Sequence, residues 1–354
     1  MLPAEYRVRY HPETMLGPVL ILHNLPSQEP LFREHCGASD TGVMNAVQHV
    51  INALLALQVP HRVAGVRRLT DLPAVFASGT EPVVFNLVER LDGGANDCNC
   101  VPAVCQAFGR ACTGGTTESL VLTLDKDLAK ARLAAHGIRV PAGVVVAIGE
   151  PPPATLPDGP LFVKPLSSDG SEGIDAGSLV HDKRTQLGAA ITRVHQRLGQ
   201  SALIESYING REFNLAVIEQ AGTAVPLPVA EIDFSRFPAD RPHFVDYELK
   251  WTPGTIGGLA SPRRVPAEID AATSARLQAL ACRAWNVCGC QDYARIDTRM
   301  DVAGHVYVLD VNVNCDLSPL AGLPAALTAA GISFAAFVKQ MIENALQRGA
   351  QRQS

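Results

Sequence analysis

The sequence has no excess of basic residues. Its 30 lysines and arginines stand against 35 aspartates and glutamates, for a net charge of -5 and a pI near 6. That balance leaves no electrostatic footprint for nucleic acid, and no basic run suits an anionic membrane surface. No stretch of about 18 apolar residues occurs, which argues against a transmembrane helix. The opening MLPAEYRVRYHPETM lacks the charged-then-apolar order of a signal peptide. The nine cysteines are an odd number in a long chain, against a disulfide framework. They gather as Cys98, Cys100, Cys105 and Cys112 and as Cys282, Cys288 and Cys290, without the paired C-x2-C spacing of a structural zinc site. Reduced thiols packed as small hydrophobes are expected. The expectation is thus a cytoplasmic chain with neither nucleic acid nor membrane as partner. What is present is apolar material: 47% of residues, enough for one large core or two or three smaller ones.

Residues 1–115 read as alternating strand and helix. Val19–Leu22 suits a buried strand, and Val43, Val47, Ile51, Leu54 and Leu55 recur at helical spacing, with Asp40 and Thr41 placed to cap. Arg62–Val66 and Val83–Leu87 suit further strands, so parallel βαβ units are predicted. No G-x-G-x-x-G follows the first strand, leaving a dinucleotide site unsupported. Two breaks follow: the proline-rich GEPPPATLPDGP from Gly149 to Pro160, and a long loop-like region from Phe234 to Pro266. Residues Ile332 to Leu346 read as a closing amphipathic helix.

Four segments place polar residues on elements that otherwise read as core. In TLDKDLAKARLAAHGIRVP, Lys126 opens a helix. In FVKPLSSDGSEGI, Lys164 ends a strand before a loop of small residues. A lysine beside such a loop suits phosphate, cradled by backbone N–H groups; an ordinary Gly/Ser turn has the same pattern. In ALIESYINGREFNLAVI, Glu205 and Glu212 flank a turn at Asn209-Gly210, as in a site for a base and a ribose or in a hairpin with solvated charges. The fourth segment is DYARIDTRMDVAGHVYVLDVNVNCDLSP. Asp310 and Asn312, two apart, share a strand face; Asp297 and Arg295 can share it from the preceding strand. Hard oxygen ligands beside a phosphate suit Mg²⁺; a charge network without metal is the alternative.

Taken in order, VFNLVE, TGG, DK, FVKP, the Ser/Gly loop, IESYINGREF, ARID and DVNVN resemble the ATP-grasp superfamily, specifically its D-alanine–D-alanine ligase-like group, from about Val83 to Leu346. The resemblance implies an α/β and α+β architecture: an ATP-grasp fold behind a Rossmann-like N-terminal domain, divided as 1–115, 116–200 and 201–354. It implies a carboxylate–amine ligase that forms an amide through an acyl phosphate and releases ADP. Lys126 and Lys164 would hold ATP phosphates under Gly170 and Ser171. Glu205 and the backbone around Tyr207–Ile208 would hold adenine, Glu212 ribose, and Lys250 the γ-phosphate. Asp297, Asp310 and Asn312 would bind two Mg²⁺ ions, with Mn²⁺ as an alternative, and Arg295 would stabilise the oxyanion. Small-molecule acid and amine substrates and a homodimer are implied as partners.

The sequence departs from that group in several places. Aspartate stands at 310 where glutamate is usual, Gly170 stands where a serine would, Trp251 where a tyrosine would, and the N-terminal acidic motif is not found. DVNVNCDLSPLAG also lacks the serine expected for the second D-alanine carboxylate. An amino acid or small acid other than D-alanine is therefore expected as substrate. The alternatives are a true D-alanine–D-alanine ligase and a non-catalytic nucleotide-binding protein.

Overall fold

The computed structural model describes residues 16–94, 96–238, 241–251 and 263–351. Strands β1 (Val19–Asn24), β2 (His61–Val66), β3 (Val83–Leu87) and β4 (Ala111–Cys112) form a parallel sheet of order β2-β1-β3-β4. Both faces of β1 and β3 are buried, which is why they read as unbroken apolar runs. Val19, Ile21, Val83 and Phe85 pack under α1 (Pro30–Ala56). Leu20, Leu22 and Val84 pack on the other face against α2 (Leu72–Ala77) and α3 (Val101–Ala107). The predicted cap at Asp40 and Thr41 is wrong: both lie within α1, which starts ten residues earlier at Pro30. Proline at a first helical position has its φ preset and loses no needed N–H. The helical period extends back through Phe32, Cys36 and Ser39, all buried.

Asp125 ends α4 (Thr117–Leu124) and caps α5 (Lys126–Ala135), accepting from the N–H groups of Asp127 and Leu128. An antiparallel sheet follows, β5 (Gly143–Val146), β6 (Leu161–Pro165), β7 (Leu179–Val180) and β8 (Ala202–Ser206), in the order β5-β8-β6-β7. Helix α6 (Lys183–Leu198) covers one face through Leu187, Ala190, Ile191 and Val194. The proline-rich connection joins β5 to β6.

The third sheet contains β9 (Gly210–Gln220), β10 (Thr223–Pro226), β11 (Ala230–Ile232), β12 (Arg263–Arg264), β13 (Tyr293–Asp301) and β14 (Val306–Asn312), ordered β12-β11-β9-β13-β14 with β10 on β9. The long region before Pro266 is not all loop: it holds α7 (Tyr247–Trp251) and β12. Helix α8 (Ala271–Cys288) covers the sheet through Leu277, Ala281 and Trp285, against Phe213, Leu215 and Ile296. Helices α9 (Gly322–Ala329) and α10 (Phe334–Gln351) return to the N-terminal core, where Phe337 and Met341 join Val47 and Leu54.

IESYINGREF is not a hairpin. β8 and β9 belong to different sheets, and residues 207–209 carry the chain between them. Gly210 makes the crossing possible, since a Cβ there would overlap the Met300 carbonyl oxygen. Among the described residues no single helix is long and apolar enough to cross a membrane, and none of the nine cysteines forms a disulfide.

Candidate active site

Strand alternation writes the site onto one face of the third sheet. Asp297 pairs with Asp310 on one side and Asn214 on the other, Arg295 pairs with Asn312, and Arg299 with Glu212. These side chains share the face opposite Phe213, Leu215 and Ile296. A register shift after Asp297 leaves Leu309 as an extra residue on β14, so Leu309 and Asp310 both line the cleft. Arg295 donates to both oxygens of Asp297, each at 2.8 Å, and Asn214 adds a third bond at 2.8 Å. Burial raises the pKa of Asp310; Lys126 and Lys164 oppose that shift, while Asp169 and Asp297 reinforce it.

Across the cleft stands the β6–β8 sheet. Lys164 on β6 meets Glu205 on β8 at 2.8 Å, and Lys130 on α5 meets the other oxygen of Glu205. Burial alone would raise the Glu205 pKa, but the two ammonium groups outweigh it and hold the carboxyl below its ordinary value. Burial brings Lys130 down to about 8, the Lys164 charge adding to the effect and Glu205 resisting it. Lys126, one turn before Lys130, lines the same cavity and donates to the Ser168 carbonyl.

At the crossing between sheets, Tyr207 N–H is committed to Pro160 O at 2.9 Å, whereas the Ile208 N–H has no partner among the described residues. Arg299, 3% exposed, organises this end. It binds Glu212 at 3.1 Å, donates to the carbonyls of Ile208 and His243, and stacks over Tyr207 and Phe234. Burial raises Glu212 despite this partner.

The small-residue loop after β6 turns through left-handed backbone at Gly170 and Ser171, with φ of 65° and 62°. For serine that region is strained, a feature concentrated at functional sites. The strain is held by Ser171 Oγ donating to Val245 O at 3.0 Å and by Trp251 Nε1 donating to Gly170 O at 2.8 Å. Lys250, on the same short helix, reaches the boundary between this cleft and a second cavity beside the parallel sheet. Burial and Arg295 lower the Lys250 pKa, against the pull of Asp316 and Glu89.

Glu89, Asp169, Glu172 and Asp316 line that second cavity. Glu89 is itself exposed to water in this cavity, with protein walls beside it. Burial and Asp316, with Asp169 and Glu172, push its pKa up to about 8 against Lys250. Glu172 rises to about 7, chiefly by burial, although it accepts from Ser39 at 2.7 Å. A carboxyl that keeps its proton on folding makes the unfolded chain relatively more stable as pH climbs from about 4.5 through 8. Glu89→Gln is therefore expected to raise the melting temperature of the ligand-free protein slightly at pH 8.5, the exposure of the carboxylate to water limiting the gain, and to leave it unchanged at pH 4.5. Equal melting curves at pH 8.5 would remove this account of Glu89.

All the sequence-predicted residues meet at these two connected cavities. Sequence reading missed Lys130, Arg299, Arg263 and the cavity-lining position of Glu89. Three signals were present: Lys130 repeats Lys126 at i+4, Arg299 continues the alternation of Arg295 and Asp297, and Glu89 lies just past the carboxyl end of a parallel strand, where open α/β sheets bind ligands. Among the described residues no three His, Cys, Asp or Glu side chains gather as a metal cluster; the proposed set contains two carboxylates and one amide.

Residues 157–343 match the family described as D-ala D-ala ligase C-terminus. An uncharacterized protein of Sinorhizobium fredii, y4sG, is 29% identical over 269 residues, 76% of this chain and 76% of that protein. The D-alanine–D-alanine ligase of a Synechococcus species is 31% identical over 266 residues, 73% of this chain and 76% of the relative. In fold, the solved D-alanine–D-alanine ligase from Bacillus anthracis complexed with ATP matches with a TM-score of 0.72 at 19% identity, covering 96% of this chain and 100% of that one. The chain belongs to the D-alanine–D-alanine ligase-like family of ATP-grasp proteins, the ATP-dependent ligases that form C–N bonds.

Proposed function

We propose that this chain activates a carboxylate as an acyl phosphate at the expense of ATP and couples it to an amine, with a substrate pair other than two D-alanines. The observation that carries the reading is the facing of two sheets across one cleft, lysines on one side and Arg295, Asp297, Asp310 and Asn312 on the other. Lys126 and Lys164 serve the phosphates beneath Gly170 and Ser171. Adenine lies at the Ile208 N–H beside Glu205, whose charge also neutralises two lysines, and Glu212 receives ribose. Lys250 takes the γ-phosphate.

Asp297, Asp310 and Asn312 fit a hard divalent cation such as Mg²⁺: adjacent oxygen donors in one cleft, with Asp310 destabilised as an anion by its surroundings. Bound there, the ion would neutralise phosphate charge. The remaining work is positioning and charge compensation by the protein. A substrate carboxylate oxygen attacks the γ-phosphorus and ADP leaves. The neutral amine nitrogen then attacks the acyl carbon, Arg295 offsets charge on the oxyanion, and inorganic phosphate leaves with the proton that the nitrogen gives up. Glu89, Asp169, Glu172 and Asp316 provide acceptors for an incoming ammonium.

Against D-alanine, Gly170 offers no side chain, and the one polar hydrogen of Trp251 is already given to the Gly170 carbonyl. An ammonium left one hydrogen bond short in a closed site loses ~1–3 kcal/mol, about one to two orders of magnitude in rate. A phosphate-release screen over acids and amines, with mass detection of the coupled product, tests both levels. ADP and phosphate are expected, with D-alanine about 10–100-fold below the best pair in kcat/KM. AMP and pyrophosphate as products would remove the acyl-phosphate route. D-alanine as best substrate would remove the reading of Gly170 and Trp251 and leave the ligase intact.

A further inference from the structure

Three asparagine side chains fix the backbone just past β3. Asn86 Oδ1 accepts from the Val88 N–H and Asn24 Oδ1 from the Glu89 N–H, each at 3.1 Å, while Asn314 Nδ2 donates to the Val88 carbonyl at 2.9 Å. The N–H of Asn314 in turn reaches Asn312 Oδ1 at 3.0 Å, and its side-chain oxygen accepts from the buried Tyr293 hydroxyl at 3.2 Å. The second asparagine of DVNVN thus ties the end of the parallel sheet to the strand that carries Asp310 and Asn312. All this anchoring aims one side chain. The Glu89 carboxyl has no hydrogen-bond partner among the described residues, and it opens on the cavity that Lys250, Arg295 and Asn312 also line.

The neighbouring groups are differently employed. Asp316 accepts from the Ser318 N–H and hydroxyl at 2.8 and 2.9 Å, and Glu172 accepts from Ser39. Asp169 sits on the small-residue loop, lines the nucleotide cleft as well and bears on Asp310. Arg90 pairs with Glu29 at 2.7 Å and lies over Phe32, and burial holds the Cys98 thiol up at about 12, so it stays protonated. The chemistry leaves a task unassigned. An amine arrives as an ammonium and attacks only when neutral, so one proton must leave the nitrogen before the C–N bond forms. With the nucleotide in the first cleft, the amine reaches the acyl carbon from the second cavity, past Glu89. Desolvation by the cavity walls, Asp316, Asp169 and Glu172 favour a proton on Glu89, and Lys250 opposes it. A carboxylate so placed is a stronger base than a free one, matched to proton transfer near neutral pH.

We propose that Glu89 is the general base of amide formation: its carboxylate takes one proton from the substrate ammonium, giving the neutral amine and a carboxylic acid, and passes that proton to the water of the cavity once phosphate has left. This rests on the ligase reading above. The test uses the intact protein with ATP, Mg²⁺ and the best acid–amine pair of the phosphate-release screen, and beside that amine hydroxylamine, a nucleophile already neutral at pH 7. Wild-type kcat/KM for the amine should rise with pH and break near pH 8, since that parameter reports the base of the free enzyme. Glu89→Gln should lower it about 10²–10⁴-fold at pH 7 and remove the break, the residual rate following the neutral fraction of the amine. Hydroxamate formation should continue at the wild-type rate, which also reports that the variant folds and activates the acid. Glu89→Asp should keep the break and part of the amide rate. Equal loss of amide and hydroxamate in Glu89→Gln overturns the inference, because Glu89 would then serve the acid or the fold. So does a break that survives in Glu89→Gln, or one that disappears in Glu172→Gln instead, which would move the base to the loop. In each of those results the ligase stands. A wild type that hydrolyses ATP but gives neither amide nor hydroxamate with any acid removes the ligase reading and this inference with it.

Discussion

Asp310→Asn and Asn312→Ala are each expected to lower Mg²⁺-dependent turnover by about 10²–10³, the scale seen when one preorganised group is removed from a charge-stabilising site. Melting temperature should hardly move for either. Asp310 is a carboxyl whose ionised form its surroundings oppose, so neutralising it relieves repulsion. Asn312 spends its side-chain oxygen on the Asn314 N–H at 3.0 Å, a bond worth about 1 kcal/mol. Asp297→Asn should lose comparable activity and, unlike the other two, some stability as well. Its carboxylate is the only anion bonded to the Arg295 guanidinium among the described residues, and an amide keeps one acceptor oxygen where two were used. The three variants together separate metal binding from scaffold. Turnover that remains Mg²⁺-dependent and near wild type in both Asp310→Asn and Asn312→Ala would remove the metal site, whatever happens at Asp297.

Much of this arrangement was legible because strands with period two declare their faces. Arg295, Asp297, Asp310 and Asn312 can be placed together from spacing and one turn. VVFNL announces a strand buried on both faces by having no polar alternation until its end. What spacing could not show was which strands pair. IESYINGREF has the turn residues of a hairpin, and only the destination of each strand in a separate sheet reveals a crossing. The start of α1 was misread because a cap signal at Asp40 and Thr41 outweighed the proline ten residues earlier. The missed cations share a cause. Lys130, Arg263 and Arg299 acquire meaning from partners 75, 57 and 87 positions away: Glu205, Leu320 and Glu212. Distances of that kind are set by the fold: the i+4 repeat at Lys130 and the alternation at Arg299 give those side chains a face without naming their partners.

Glu205→Gln is the second substitution expected to have a large effect, and here stability moves first. Glu205 is 3% exposed and its two oxygens hold Lys130 and Lys164. The amide leaves two buried ammonium groups without a bonded anion, only Asp310 acting on both from farther off, and breaking a buried pair in this way costs ~3–5 kcal/mol. The sign of the pH dependence follows from Lys130. With Glu205 present its pKa already sits at about 8, below the ordinary lysine value. Where a folded-state lysine pKa is depressed, the unfolded chain binds more protons between the two values, so stability rises with pH across that window. Removing Glu205 depresses Lys130 further and opens the window at lower pH. The deficit of Glu205→Gln should therefore be greatest near pH 6 and shrink as pH rises towards 8, because Lys130 gives up its proton earlier in the variant than in the wild type. Lys130→Met combined with Glu205→Gln removes the anion and one of the two cations, so it should regain much of the melting temperature. ATP affinity should not return with it, because the carboxylate beside the proposed adenine site is still missing. A Glu205→Gln protein that melts like wild type at pH 6 would show that the triad does not hold the cleft together. A double variant that recovers ATP affinity along with stability would show that Glu205 serves the lysines and not the nucleotide.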